Sequence, residues 1–171
     1  MTNYTFLSLG TNLGDREAYL NKAIEAIRKS VGKIDSYSDI YETDPWGFQS
    51  ESKFLNMVIR VRTELKPSVL LKRLLNIEGQ LGRIRESNQY ESRTIDIDIL
   101  LYSNLIINNP DLIVPHPLIQ DRRFVLVPLC NLASEMIHPV LGKTFAMLLK
   151  ECSDKSIVTR YPQSYSSPYL K

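Results

Sequence analysis

The stretch SRTIDIDILLY, Ser92 to Tyr102, alternates isoleucine and aspartate through its centre. That period of two belongs to a β-strand with one apolar and one polar face. Ile95, Ile97 and Ile99 share the face that suits a core, and Asp96 and Asp98 share the other. Residues two apart on a strand lie roughly 6.5 to 7 Å apart at Cα. Like charges that close repel unless a cation stands between them. A metal held there needs both acids turned away from the core, with room left for the ion. A solvated strand face, or an edge strand protected by charge, explains the same alternation without one.

Working outward, NYTFLSL reads as a strand and GTNLG as a plain turn. Asp15 then caps a helix with the stripe Leu20, Ala23, Ile24, Ile27 and Val31. Lys33 to Glu42 is β-like, and Phe54 to Thr63 is a stronger strand with Leu55, Met57, Ile59 and Val61 on one face. The loop TDPWGFQSESK lies between them. Pro67 opens a second helix, Leu70, Leu71, Leu74, Leu75 and Leu81 form its stripe, and Gly82 stops it. The order strand, helix, strand, strand, helix, strand is the split βαβ pattern of an α+β, ferredoxin-like domain: an antiparallel-rich sheet flanked by helices. Beyond Ile107 the pattern predicts irregular chain around PHP, a helix or two between Arg122 and Lys150, and a short strand near Ile157 to Tyr161.

At 171 residues the chain suits one domain. We expect it to span residues 1–161, with the polar, prolyl end 162–171 as a flexible tail. The 21 basic and 19 acidic side chains leave a charge of +2, which recommends neither nucleic acid nor an anionic membrane as partner. Two cysteines make no disulfide framework, and no Cys/His cluster has zinc spacing. The N-terminus carries no basic leader with an apolar run, and no segment approaches the ~18 apolar residues of a spanning helix. A soluble, cytoplasmic monomer is expected.

Several residue types near the aspartates make sense together. Arg83, Arg85 and Arg93 could grip a polyphosphate held against a metal, although Arg83 and Arg85 also suit a helix C-terminus. His116 lies between prolines in VPHPLIQDRRF, and Arg122 follows six residues later. Phe54 and Asn56 share the polar face of their strand, where a ring and an amide suit a flat heterocycle, and Phe124 offers a second ring. Glu78 intrudes on the apolar stripe of its helix, so either an arginine or a ligand must partner it. Gly142-Lys143-Thr144 lacks the preceding glycine of a phosphate-binding loop, and GTNLG lacks the glycine spacing of a dinucleotide fingerprint.

Taken in order, SLGTNLGDRE, YETDPWG, FLN, LGRIR, RTIDIDILLY and VPHPLIQDRRFVLVPL resemble the 6-hydroxymethyl-7,8-dihydropterin pyrophosphokinases over about Tyr4 to Leu132. The resemblance implies transfer of pyrophosphate from ATP to the hydroxymethyl group of the pterin, giving AMP and the pterin diphosphate for folate synthesis. It implies two Mg²⁺ ions on Asp96 and Asp98. Arg83 and Arg93 would meet the phosphates during transfer, with Glu78, Arg85, Ile99, His116 and Arg122 near the nucleotide. Phe54 and Phe124 would sandwich the pterin, its edge read by Asn56 and by Thr43, Asp44, Pro45 and Trp46. One departure stands out: Gln89-Tyr90-Glu91-Ser92 replaces an R-W-G-P-like run before Arg93. Two other readings stay open here, a pterin or nucleotide sensor without catalysis and an RNA-binding module on the same scaffold.

Overall fold

The computed structural model describes residues 2–48, 50–83 and 92–162. Its first strand, β1 (Asn3–Thr11), is followed by α1 (Arg16–Ser30), β2 (Lys33–Tyr37), β3 (Tyr41–Thr43) and β4 (Phe54–Thr63). Then come α2 (Pro67–Gln80), β5 (Asp96–Tyr102), β6 (Ile107–Asn108) and β7 (Ile113–Val114). A 3₁₀ turn (Ile119–Asp121), α3 (Arg123–Ala133), α4 (Phe145–Glu151) and β8 (Val158–Arg160) complete the order.

The main sheet runs β5-β1-β4-β3-β8, with β2 also paired to β4, and every pairing is antiparallel. The strand joined to β1 through α1 does not pair with it; β4 lies between. Likewise β1 lies between β4 and β5, which α2 connects. These are the two interlocked split βαβ units expected from the element order.

Local chemistry sets the elements as anticipated at several points. The Asp15 carboxylate accepts the Ala18 N–H at 3.0 Å and caps α1. Pro67 occupies the first turn of α2, and Gly82 takes φ +85° just past its end, a conformation that costs glycine little. Leu7, Leu9, Leu55, Met57, Ile59, Val61, Ile97 and Ile99 pack against Leu20, Ile24 and Ile27 of α1 and Leu70, Leu74 and Ile77 of α2. A second apolar cluster fills the opposite face at one end, where Phe6, Val58 and Leu100 meet Val125, Leu126, Leu129, Phe145 and Leu148 from α3 and α4. The other end of that face stays polar, and it carries the site.

Three expectations need correction. Lys33 to Glu42 is two strands, because the Ser38 hydroxyl accepts the Val58 N–H at 2.9 Å where a backbone carbonyl would continue the ladder. Of the expected α2 stripe, Leu70 and Leu74 are buried and Leu71 and Leu81 pack partly buried against the core, but Leu75 is 41% exposed and Ile77 and Glu78 are buried instead. The region past Ile107 is not wholly irregular, since β6 and β7 form a small hairpin.

Candidate active site

The site face of the sheet is built from even-numbered residues: Ser8 and Gly10 on β1, Phe54 and Asn56 on β4, Asp96 and Asp98 on β5. Cross-strand register sets Ser8 against Asp98, and Gly10 against both Asp96 and Asn56. A Cβ at Gly10 would come within 3.1 Å of Asn56 Oδ1, so glycine keeps this floor open. Asn56 is buried and donates its amide to Thr43 Oγ1 at 2.7 Å.

The charged cluster differs from the expected open carboxylate. Asp96 is clamped: Arg93 Nη1 donates to Oδ2 at 2.7 Å, and Arg83 Nη1 donates to Oδ1. Arg83 also donates to Glu78 Oε1 at 2.7 Å, and the same oxygen accepts the Ile97 N–H at 2.7 Å. Glu78 is 2% exposed, so its carboxylate points into the protein and braces both Arg83 and the strand segment between the aspartates. Of the two open explanations for this acid, the structure provides the arginine partner.

These contacts push the two aspartates apart electrostatically. Burial alone would raise Asp96, but Arg93 and Arg83 outweigh it and hold its pKa below the ordinary carboxylate value. Asp98 has no ion pair among the described residues. Burial, then the neighbouring charge of Asp96, raises it to about 7, with Arg122 only partly offsetting them. His116 is held down to about 4, by burial and then by Arg122, against a smaller opposing pull from Asp96. Its Nδ1 accepts the Leu118 N–H at 3.2 Å, which leaves the proton of the neutral ring on Nε2. Its backbone N–H donates to Leu100 of β5 at 2.9 Å, tying the proline-flanked segment to the aspartate strand.

Aromatic groups wall the face on two sides. Phe54 meets Phe48 edge-on with centroids 6.0 Å apart, and the Arg93 guanidinium lies 5.6 Å from its ring. Trp46 and Phe124 lie 6.3 Å apart, with the buried Arg122 guanidinium 4.8 Å over Trp46 and 5.8 Å over Phe124. Pro45 is half-buried, while Asp44 is exposed and faces Lys53 at 3.7 Å. Ile99 turns its side chain into the core, which leaves only its main chain for any ligand. Arg85 and the Gln89-Tyr90-Glu91 departure lie outside the described residues.

Two contributors were not singled out from the sequence. Phe48 sits in a loop of mixed composition, where no period marks it. Asn12 belongs to the turn read as plain, yet it is buried, and its Oδ1 accepts the Arg93 N–H at 2.8 Å. Its Nδ2 donates to Ser92 Oγ at 3.0 Å and to the Ser52 carbonyl at 3.3 Å. The turn thus joins the loop before β4 to the backbone that presents Arg93. An asparagine between turn glycines was the only available signal.

Fold and site together define an α+β protein whose open sheet end carries a charged face flanked by aromatic rings. A family model described as 7,8-dihydro-6-hydroxymethylpterin-pyrophosphokinase matches residues 6–134. The chain is 46% identical over 137 residues to a 2-amino-4-hydroxy-6-hydroxymethyldihydropteridine pyrophosphokinase of Porphyromonas gingivalis, covering 78% of this chain and 92% of that one. It is 41% identical over 137 residues to the enzyme of that name from Bacillus subtilis, covering 80% and 81%. Among solved structures, an HPPK-DHPS complexed with substrates superposes with a TM-score of 0.72 at 18% identity, which shows the shared fold. That match covers 87% of this chain and 43% of the other, so the chain spans less than half of that two-part protein. The chain belongs to the 7,8-dihydro-6-hydroxymethylpterin-pyrophosphokinase family. The sensor and RNA-binding alternatives are not favoured by these matches.

Proposed function

We propose that this chain is an active, Mg²⁺-dependent pyrophosphokinase that transfers pyrophosphate from ATP to 6-hydroxymethyl-7,8-dihydropterin and releases AMP. One observation carries the reading beyond the family match: two aspartates share a face with converging arginines, between aromatic walls suited to a flat ring. The donor set fits the metal. Among the described residues no third His, Cys, Asp or Glu completes a metal cage. Mg²⁺ needs only one or two carboxylates, because water and substrate phosphates fill its other positions. Two such ions on Asp96 and Asp98 would neutralise the phosphate charge and align the reacting groups.

The protein's own groups then have distinct tasks. Arg83 and Arg93 neutralise Asp96 in the resting site and would exchange that carboxylate for the phosphates when ATP enters. Glu78 keeps Arg83 within reach and braces β5 beneath the nucleotide. Neutral His116 donates from Nε2, and Arg122 supplies fixed positive charge; together they hold ATP with Arg85 and the main chain of Ile99. Phe54 and Phe124 stack on the pterin, and Asn56, Thr43, Asp44, Pro45 and Trp46 recognise its edge. Holding the hydroxymethyl oxygen in line with the β-phosphorus is the main catalytic contribution.

In this reading residues 1–161 form the catalytic domain and the protein works as a cytoplasmic monomer; of the expected tail, residues 163–171 lie outside the described residues. The free thiols of Cys130 and buried Cys152 suit a reducing compartment, and no helix among the described residues is long and apolar enough to cross a membrane. Incubation with ATP, Mg²⁺ and the hydroxymethyl-dihydropterin should yield AMP and pterin diphosphate in equal amounts, and chelation with EDTA should stop both. Tight pterin binding without AMP would replace the enzyme reading by the sensor.

A further inference from the structure

The first turn of α3 carries two site residues, Arg122 at the N-cap and Phe124 one position inside the helix start. The free N–H groups of such a turn are ordinarily met by Ser, Thr, Asp or Asn at the N-cap. Arg122 provides no cap, and its guanidinium is directed over Trp46 and Phe124 instead. The Arg123 N–H donates to Asp154 Oδ2 at 3.0 Å, from a turn 31 residues further on. That turn is locked in place. The Ser156 N–H donates to Asp154 Oδ1 at 2.9 Å, and Lys155 Nζ to the Cys152 carbonyl at 2.6 Å. Cys152 itself is buried in the cluster beneath α3. Burial opposes the charge on Asp154, yet Ser156 and Arg123 keep its pKa below the ordinary value.

The same segment continues into β8, which pairs with β3 as far as Thr43 opposite Val158. Asp154 and β8 therefore brace two separate elements of the site, the start of α3 and β3, from a stretch beyond the 6–134 family match. We propose that Asp154 is a positioning residue, supplying from outside the helix the cap α3 lacks and so fixing Arg122 and Phe124 against Trp46. What those two side chains touch in the substrate complex rests on the reading under Proposed function; how they are held against Trp46 does not.

The chain has a single tryptophan, so Trp46 emission reports directly on the placement of Arg122 and Phe124. Asp154→Ala should shift that emission to the red and raise KM for ATP and pterin by roughly tenfold, with kcat changed by less than about twofold. Asp154→Asn keeps a side-chain acceptor and should stay near wild type in both. Thr144→Ala is the control for a merely structural effect. It removes the cap that accepts the Met147 N–H at 3.2 Å on α4, and should lower Tm without moving Trp46 emission or KM. The proposal is overturned if Asp154→Ala leaves emission and both KM values unchanged, or moves them no more than Thr144→Ala does. Should the alanine variant fail to fold, Asp154→Glu displaces the acceptor by one methylene: a red shift supports the assignment, wild-type emission contradicts it. Absence of AMP formation by the wild type would defeat the catalytic reading alone, since emission still decides the role of Asp154.

Discussion

The same three strands, β1, β4 and β5, present two faces that differ in almost every chemical respect. Toward α1 and α2 they offer Leu7, Leu9, Leu55, Met57, Ile59, Ile97 and Ile99, all buried and all hydrocarbon apart from one thioether. Toward the site they offer Ser8, Gly10, Phe54, Asn56, Asp96 and Asp98. On the first face any well-fitting apolar group serves, because burial is non-directional and scales with area. On the second, each group has a specific partner or a specific charge, and no substitute of similar size repeats it. A one-residue slip in register would exchange the two faces completely. The core side chains thus enforce the geometry of the site without contributing a side-chain atom to its chemistry.

The largest expected effect separates the faces at once. Asp96→Ala should cut AMP formation by about a thousandfold, roughly 4 kcal/mol of transition-state stabilisation. It should also lower stability, since Arg83 and Arg93 lose the carboxylate that neutralises them; a steady-state assay and urea unfolding of one preparation read both. Leu9→Ala on the opposite face should cost roughly 2 to 5 kcal/mol of stability. Its kcat per folded molecule should stay near wild type, and a large fall would mean the faces are not separable.

His116 sharpens the comparison through pH. Its pKa is about 4 in the folded protein, against 6.5 ordinarily, mainly through burial. Between those values the unfolded chain binds a proton that the folded chain refuses. The stability tied to neutral His116 is therefore complete above pH 6.5 and is lost as pH falls toward 4, by roughly 3 kcal/mol. His116→Gln cannot titrate, so the difference in unfolding free energy between it and wild type should change in that window and be flat above it. A constant difference from pH 4 to 7.5 would show that the imidazole is not buried as described. The smallest effect concerns the stripe of α2: Leu75→Ala should change stability by less than about 0.5 kcal/mol, whereas Ile77→Ala should cost several times that.

That last pair shows where the sequence stopped being readable. Leu70, Leu71, Leu74 and Leu75 form two adjacent pairs, and neighbours on a helix cannot both face the core fully, so periodicity left the exposed member undecided. The alternation in β5 and the odd-numbered apolar side of β4 paired Asp96 with Asp98 and Phe54 with Asn56, but only the strand order, with β1 between β4 and β5, sets the two pairs on one face. The break at Ser38 was hidden because a hydroxyl standing in for a backbone carbonyl leaves no trace in composition. Asn12 and Asp154 were illegible for a related reason. Their partners lie 81 and 31 residues away, and a hydrogen bond to backbone imposes no residue type on the other side. The clamp on Asp96 was legible only in part. Arginines near the carboxylates were evident, but their direct engagement with one aspartate and not the other depends on the turn after α2.

Asp98 tests the division of labour most directly, because it lies on the site face with burial and like charge set against it. Measuring AMP formation and the free energy of unfolding on the same Asp98→Asn sample gives two numbers with opposite expectations. Turnover should fall about a thousandfold, while stability stays equal to wild type or rises. Retained turnover with a stability loss like that of Leu9→Ala would contradict the account, for it would make Asp98 a structural residue.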